Sequence, residues 1–213
     1  MRTEDLIASL SRDIRPIPRH VLGQRLSLGL VVGGAVSLLL IAATIGFRRD
    51  LGMAAHLFPF WMKAAYTAAL GSIAAGLTMR LARPAPALPR GFGMLALPVL
   101  LLAGIAIAEL AHAPSADWSR MWLGSSWQSC PWMVLLLSLP IFAGLCWSFR
   151  RLAPTRLRLA GAAAGLTAGA WSAALYCLHC PEVSALFVLT WYSLGIALAS
   201  ALGALLGPLL LRW

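Results

Sequence analysis

Long apolar stretches, each ended by a charged residue, set the rhythm of this chain. Four charge-free intervals stand out: 26–47 with 22 residues, 64–79 with 16, 91–108 with 18 and 159–181 with 23. Between Arg120 and Arg150 lie 29 uncharged residues, the first of them rich in Ser, Gly and Trp, so the helix is expected near 130–149. A last apolar run lies near 184–211. A membrane-crossing helix needs about 20 mostly apolar residues. The pattern therefore predicts an all-α integral membrane bundle of six transmembrane helices. Their spans are expected near 26–47, 60–80, 91–109, 130–149, 159–180 and 184–211. The second is long enough only if it begins near Phe60 and Lys63 snorkels to the interface. The first follows Glu4, Asp5 and Asp13 and exceeds a signal-peptide core, so it is expected to stay uncleaved.

Composition strengthens this reading. Hydrophobic residues make up 60% and charged residues 11%, about half the charged share of a soluble domain. That excludes a soluble enzyme, a disordered chain and a secreted disulfide scaffold. The net charge of +10 does not point to direct nucleic-acid binding, because the basic residues are dispersed between apolar runs. They act as topology signals instead. With six spans, 13 of the 17 Lys and Arg residues fall on the side of the termini. The positive-inside rule then places both termini in the cytoplasm. Trp61, Trp118, Trp122, Trp127 and Trp132 gather at the opposite, outer boundary as an aromatic belt.

Small residues recur every fourth position: Gly29 and Gly33; Gly161, Gly165 and Gly169; Gly195, Ala199, Gly203 and Gly207. Such rows let helix backbones approach closely in lipid. They predict tight packing within the chain, with a homodimer as the alternative. No P-loop, nucleophile elbow or HExxH motif occurs, and no span carries a charge near its middle. An enzyme is not expected, and no cofactor is implied.

Residues 1–25 form a polar leader with one amphipathic element. Thr3 is placed as an N-cap, and Glu4 and Asp5 suit the first turn of a helix. Leu6, Ile7, Leu10 and Ile14 then share one apolar stripe, and Pro16 and Pro18 end it. A dozen or so residues are marginal as an isolated helix. The stripe must be buried against the lipid surface, the chain's own loops or a soluble partner.

The predicted topology gives the four cysteines different roles. Cys146 falls near the cytoplasmic end of its span and reads as a packing residue. Cys130, Cys177 and Cys180 fall at the outer face, and Cys130 and Cys180 are each followed by proline. Thiols at one depth in an oxidising compartment can form a disulfide. With His179, His112 or Glu182 they can hold a soft metal. Cys177 and Cys180 also have CxxC spacing, which on a helix puts both thiols on one face. Helix-end packing, a thiol switch and metal binding all stay open on the residues alone.

The opening Thr3-Glu4-Asp5-Leu6-Ile7-Ala8-Ser9-Leu10, followed by Asp13-Ile14-Arg15-Pro16-Ile17, resembles the start of the NrsF family. So do the Cys-Pro pairs flanking the fourth and fifth spans. These are bacterial inner-membrane anti-sigma factors with six spans. The resemblance implies that the chain holds an extracytoplasmic-function (ECF) sigma factor at the membrane and releases it under oxidative or heavy-metal stress. It makes Cys130 and Cys180 the sensor candidates, as thiols or as metal ligands. Cys177 and His179 accompany them. Leu6, Ile7, Leu10 and Ile14 are the sigma-contact candidates, chosen for their apolar stripe. The rival expectations are a membrane thiol oxidoreductase using the CxxC at 177–180 and a soft-metal transporter. The first lacks a second cysteine pair on the same face, and the second lacks ionisable groups at depth.

Overall fold

The computed structural model describes residues 20–83, 90–149 and 154–212. Regular structure among them is helical throughout. Six long helices carry the fold. They are α1 (His20–Leu40), α2 (Phe58–Leu81), α3 (Ala96–His112), α4 (Cys130–Phe149), α5 (Leu157–Tyr176) and α6 (Ser193–Leu210). A wider π turn, Ile41–Ile45, extends α1, and Ala185–Phe187 with a second π turn, Val188–Tyr192, leads into α6. The leader stripe Leu6, Ile7, Leu10 and Ile14 lies outside the described residues.

Proline sets several helix ends. Pro59 opens α2, where its missing N–H costs nothing. Pro131 sits in the first turn of α4 and Pro98 in that of α3. Pro140, by contrast, lies inside α4, where it removes one backbone bond. There α1 fits closely: a Cβ at Gly33 would meet the Pro140 carbonyl at 2.7 Å. One turn on, Ser37 donates to the Leu137 carbonyl at 2.8 Å and so ties α1 to α4.

Successive helices run in alternate directions. One apolar cluster joins Leu26, Leu81, Phe149, Ala160 and Leu211, which belong to one end of the bundle. The other joins Ile41, Met62, Ala106, Cys130, Cys177 and Ala185. The first is the arginine end, with exposed Arg80, Arg83, Arg156, Arg158 and Arg212. The second is the thiol end. α5 occupies the middle, packed against α2, α4 and α6, while α1 lies against α4.

The small-residue rows meet one another inside the bundle. A Cβ on Gly161 would strike the Gly203 carbonyl, one on Gly165 the Ala199 carbonyl, and one on Gly207 the Leu157 carbonyl. On the other seam, Gly29 and Gly144 face each other in the same way. The rows considered for a homodimer are thus spent on contacts within the chain. Hydroxyls add further ties between helices: Ser148 to the Arg25 carbonyl, Ser172 to the Val134 carbonyl, and Thr78 with Thr167. In lipid, such bonds replace the missing hydrophobic drive between helices.

The expectation of six membrane-crossing helices holds for four of them by length and apolarity. Four segments are long and apolar enough to cross: Leu22–Ile45, Gly91–His112, Cys130–Phe149 and Ala185–Leu210. α2 and α5 have the length but fall below that apolarity. The reason is physical. α2 carries Lys63, Thr67 and Thr78 on its buried side, and α5 is built from Ala and Gly with Thr167 and Ser172. Neighbouring helices cover these faces, so the side chains need not match lipid. The opposite extreme is seen at Val31, Leu39, Leu100, Leu101, Leu205 and Leu209, all well exposed. An apolar surface this extensive is foreign to a water-soluble monomer.

Candidate functional site

The thiol end is built from three connecting segments, 46–57, 113–129 and 177–184, laid over the ends of the helices. Segment 177–184 is the one the others hold. α5 ends at Tyr176, and Pro181 removes an N–H from the segment that follows. Its free carbonyls and side chains therefore find partners elsewhere. The Arg48 amide donates to the Leu178 carbonyl at 3.1 Å, and His179 Nδ1 lies 2.9 Å from the Gly46 carbonyl. Arg48 is itself clamped by Asp50 through two bonds of 2.7 and 2.6 Å. The hydrogen bonds of that pair, half-buried at Arg48 and exposed at Asp50, hold the Asp50 carboxyl below its ordinary range and raise the Arg48 guanidinium.

Glu182 anchors the next stretch. One carboxylate oxygen accepts from the Ser125 amide at 2.7 Å, the Ser125 hydroxyl at 2.6 Å and the Ser126 hydroxyl at 3.2 Å. Gly124 makes room for it. Its φ of +55° suits glycine, and a Cβ there would fall on Glu182 and Phe187. Glu109, at the end of α3, accepts from the Ala185 amide at 2.8 Å, where the last helix begins.

Within this frame Cys130, Cys177 and Cys180 are free thiols, buried in one apolar cluster with Tyr176 and Tyr192. Cys130 and Cys180 are fully buried. Ser126 stands between them: its carbonyl accepts from the Cys130 amide at 2.9 Å, and its hydroxyl lies 4.0 Å from the Cys180 sulfur. Cys177 donates its S–H to the Ala173 carbonyl at 3.3 Å. Cys146 packs in the cluster at the arginine end, away from the other three.

The possible metal ligands are not gathered. Among the described residues no group of three or more His, Cys, Asp or Glu side chains could hold a metal ion. His179 is turned to Gly46, His112 Nδ1 to the Ala108 carbonyl and Glu182 to the two serines. Cys130 and Cys180 have none of these as a third ligand without rearrangement.

Two residues escaped the sequence reading. Lys63 does not snorkel; it is 1% exposed, and its ammonium donates to the carbonyls of Cys180 at 3.0 Å and Glu182 at 2.6 Å. The proline-interrupted segment leaves those two carbonyls facing inward, and a cation satisfies them better than a neutral donor. The only signal for this was that Lys63 is the single lysine of the chain. Tyr192 is also fully buried, beside Cys177 and Cys180, and among the described residues its hydroxyl finds no hydrogen-bond partner of good geometry. Nothing in its sequence neighbourhood marks it.

The family whose description is NrsF, negative regulator of sigma F, matches residues 10–213. A protein of Azospira oryzae (strain ATCC BAA-33 / DSM 13638 / PS), described as a probable anti-sigma-F factor NrsF, is 41% identical over 213 residues. The anti-sigma-F factor NrsF of Caulobacter vibrioides (strain NA1000 / CB15N) is 39% identical over 214 residues. Both alignments cover 100% of each chain. No solved structure matches.

Proposed function

Because the chain belongs to the NrsF family of negative regulators of sigma F, we propose that it is a membrane-embedded anti-sigma factor. It holds an ECF sigma factor at its arginine end and releases it when the thiols at the other end react. The observation that carries this reading is the placement of Cys130, Cys177 and Cys180 in one buried cluster at the end opposite the exposed arginines. All six helices cross the bacterial inner membrane in this reading, with α2 and α5 shielded by the rest. The arginine end and both termini then face the cytoplasm. The leader stripe Leu6, Ile7, Leu10 and Ile14 contributes to sigma contact.

In the switch, an oxidant takes two electrons and two protons from Cys130 and Cys180, which join as a disulfide. A thiophilic cation bridging the two thiolates is the equivalent for metal stress. Either bond pulls on segment 177–184 and hence on the ends of α4, α5 and α6. Reversing occupancy from 1:99 to 99:1 takes about 5.5 kcal/mol of differential stabilisation. A disulfide supplies a few kcal/mol, about 2–4 kcal/mol in general, which is of that order. The curated relatives are described as anti-sigma factors, not as oxidoreductases or transporters, and the regulatory reading is the one supported.

The test is a pull-down of the detergent-solubilised chain from cells producing it at native level, with the chain lacking 1–19 as control. A sigma factor recovered with the full chain and lost with the control supports both the function and the leader contact. Recovery with both moves the contact to the arginine-rich connections. Recovery with neither contradicts the proposal.

A further inference from the structure

Lys63 is a buried cation with no carboxylate partner: among the described residues the ion pair is Arg48–Asp50. Its ammonium reaches two carbonyls that flank Pro181, those of Cys180 and Glu182. The fork closes over the backbone turn that bears the Cys180 thiol. The Glu182 side chain is held separately, on Ser125 and Ser126. This turn is thus gripped from two sides, by α2 and by segment 113–129. A buried ion is unfavourable unless its contacts compensate for lost hydration, and an ionisable group at this depth marks a functional position. α2 runs unbroken from Phe58 to Leu81, so a displacement at Lys63 reaches Arg80 at the opposite end.

We infer that Lys63 is the positioning residue of the thiol switch: its ammonium latches the Cys180-Pro181-Glu182 turn onto α2 and keeps the Cys180 thiol buried until that turn moves. The inference rests on the thiol-switch reading above. Reaction at Cys180 shifts the two carbonyls, the fork opens, and α2 is freed to move at its arginine end. Lysine serves where arginine would be bulkier, because a compact ammonium with three donors fits two converging carbonyls.

The experiment uses the full chain in native membrane vesicles, with N-ethylmaleimide alkylation followed at each cysteine by mass spectrometry. Losing a charge-assisted hydrogen bond eases local opening by about tenfold or more, so K63M is expected to speed Cys180 alkylation to that extent. Cys146, at the other end, should keep its rate. K63R, which keeps a cation in bulkier form, should fall between K63M and the unaltered chain. K63M should also lower, by a similar factor, the diamide concentration that releases half of the co-purifying sigma factor. Alkylation of Cys180 in K63M at the unaltered rate overturns the latch. If K63M does not accumulate, K63Q, which keeps a donor without the charge, replaces it. Failure of both to accumulate while K63R does overturns the switch role and leaves Lys63 a folding determinant. The sensor reading fails on a different result: a C130S/C180S chain that still releases the sigma factor under diamide.

Discussion

The seam between α5 and α6 can be stressed at a single atom. At Gly161 an added methyl would be driven into the Gly203 carbonyl oxygen, and Gly203 would return the clash on the Gly161 carbonyl. Backbone obstructs backbone, so no rotamer change can relieve it. Two turns further on, a Cβ at Gly169 would lie 2.9 Å from the Ala199 Cβ, where ordinary contact begins at 3.4 Å. That position needs about half an ångström of give, and Gly161 needs more. Overpacking of this kind costs about 1–3 kcal/mol. Alanine returns part of that through helix propensity, about 0.5–1 kcal/mol. G161A should therefore lose about 1–2 kcal/mol, a factor of about 5–30 in the folding equilibrium. The controls are G76A and G104A, whose Cβ positions are open. Reversible unfolding in mixed micelles, followed by far-UV circular dichroism, gives the three values together. G76A and G104A should be neutral or slightly stabilised. A G161A chain as stable as either control would refute the close-packed seam.

Two other perturbations test the frame of the thiol end. G124A forces a side chain into a backbone conformation that favours glycine and pushes on Glu182; it should release the Ser125 and Ser126 contacts and speed Cys180 alkylation, and an unchanged rate would separate Glu182 from thiol burial. D50N removes the partner of Arg48. The Asp50 carboxyl is held below its ordinary range in the folded chain, so its contribution is present above the unfolded value and lost as pH falls through the lower folded one. The difference in melting temperature between D50N and the unaltered chain should be small at neutral pH and fade below about pH 3.9; a pH-independent offset would contradict the ion pair.

Charge spacing alone located α1, α3, α4 and the last helix, because a lipid-facing helix must be apolar around most of its surface and leaves a long uncharged interval. It overstated α2 and α5 as independent membrane crossers. Helices wrapped by others are free to carry Lys63, Thr78, Thr167 and Ser172 inward, and hydropathy cannot tell a covered polar residue from an uncovered one. The glycine rows were legible as close-packing surfaces. Which row meets which depended on three-dimensional order. Cys130, Cys177 and Cys180 could be placed at one end from helix count alone. The destinations of Lys63, Glu182 and Glu109 could not, since each satisfies backbone groups exposed only after the segments near Pro181 and Gly124 have formed.

In the proposed switch, thiol chemistry at one end of the bundle controls sigma binding at the other. The most direct measurement is sigma retention on the immobilised full chain before and after diamide, for the unaltered protein and for C130S, C180S and C130S/C180S. Release from the unaltered chain and retention by the double variant are expected, with Cys146→Ser behaving as unaltered. Equal release from the double variant and the unaltered chain would contradict the switch.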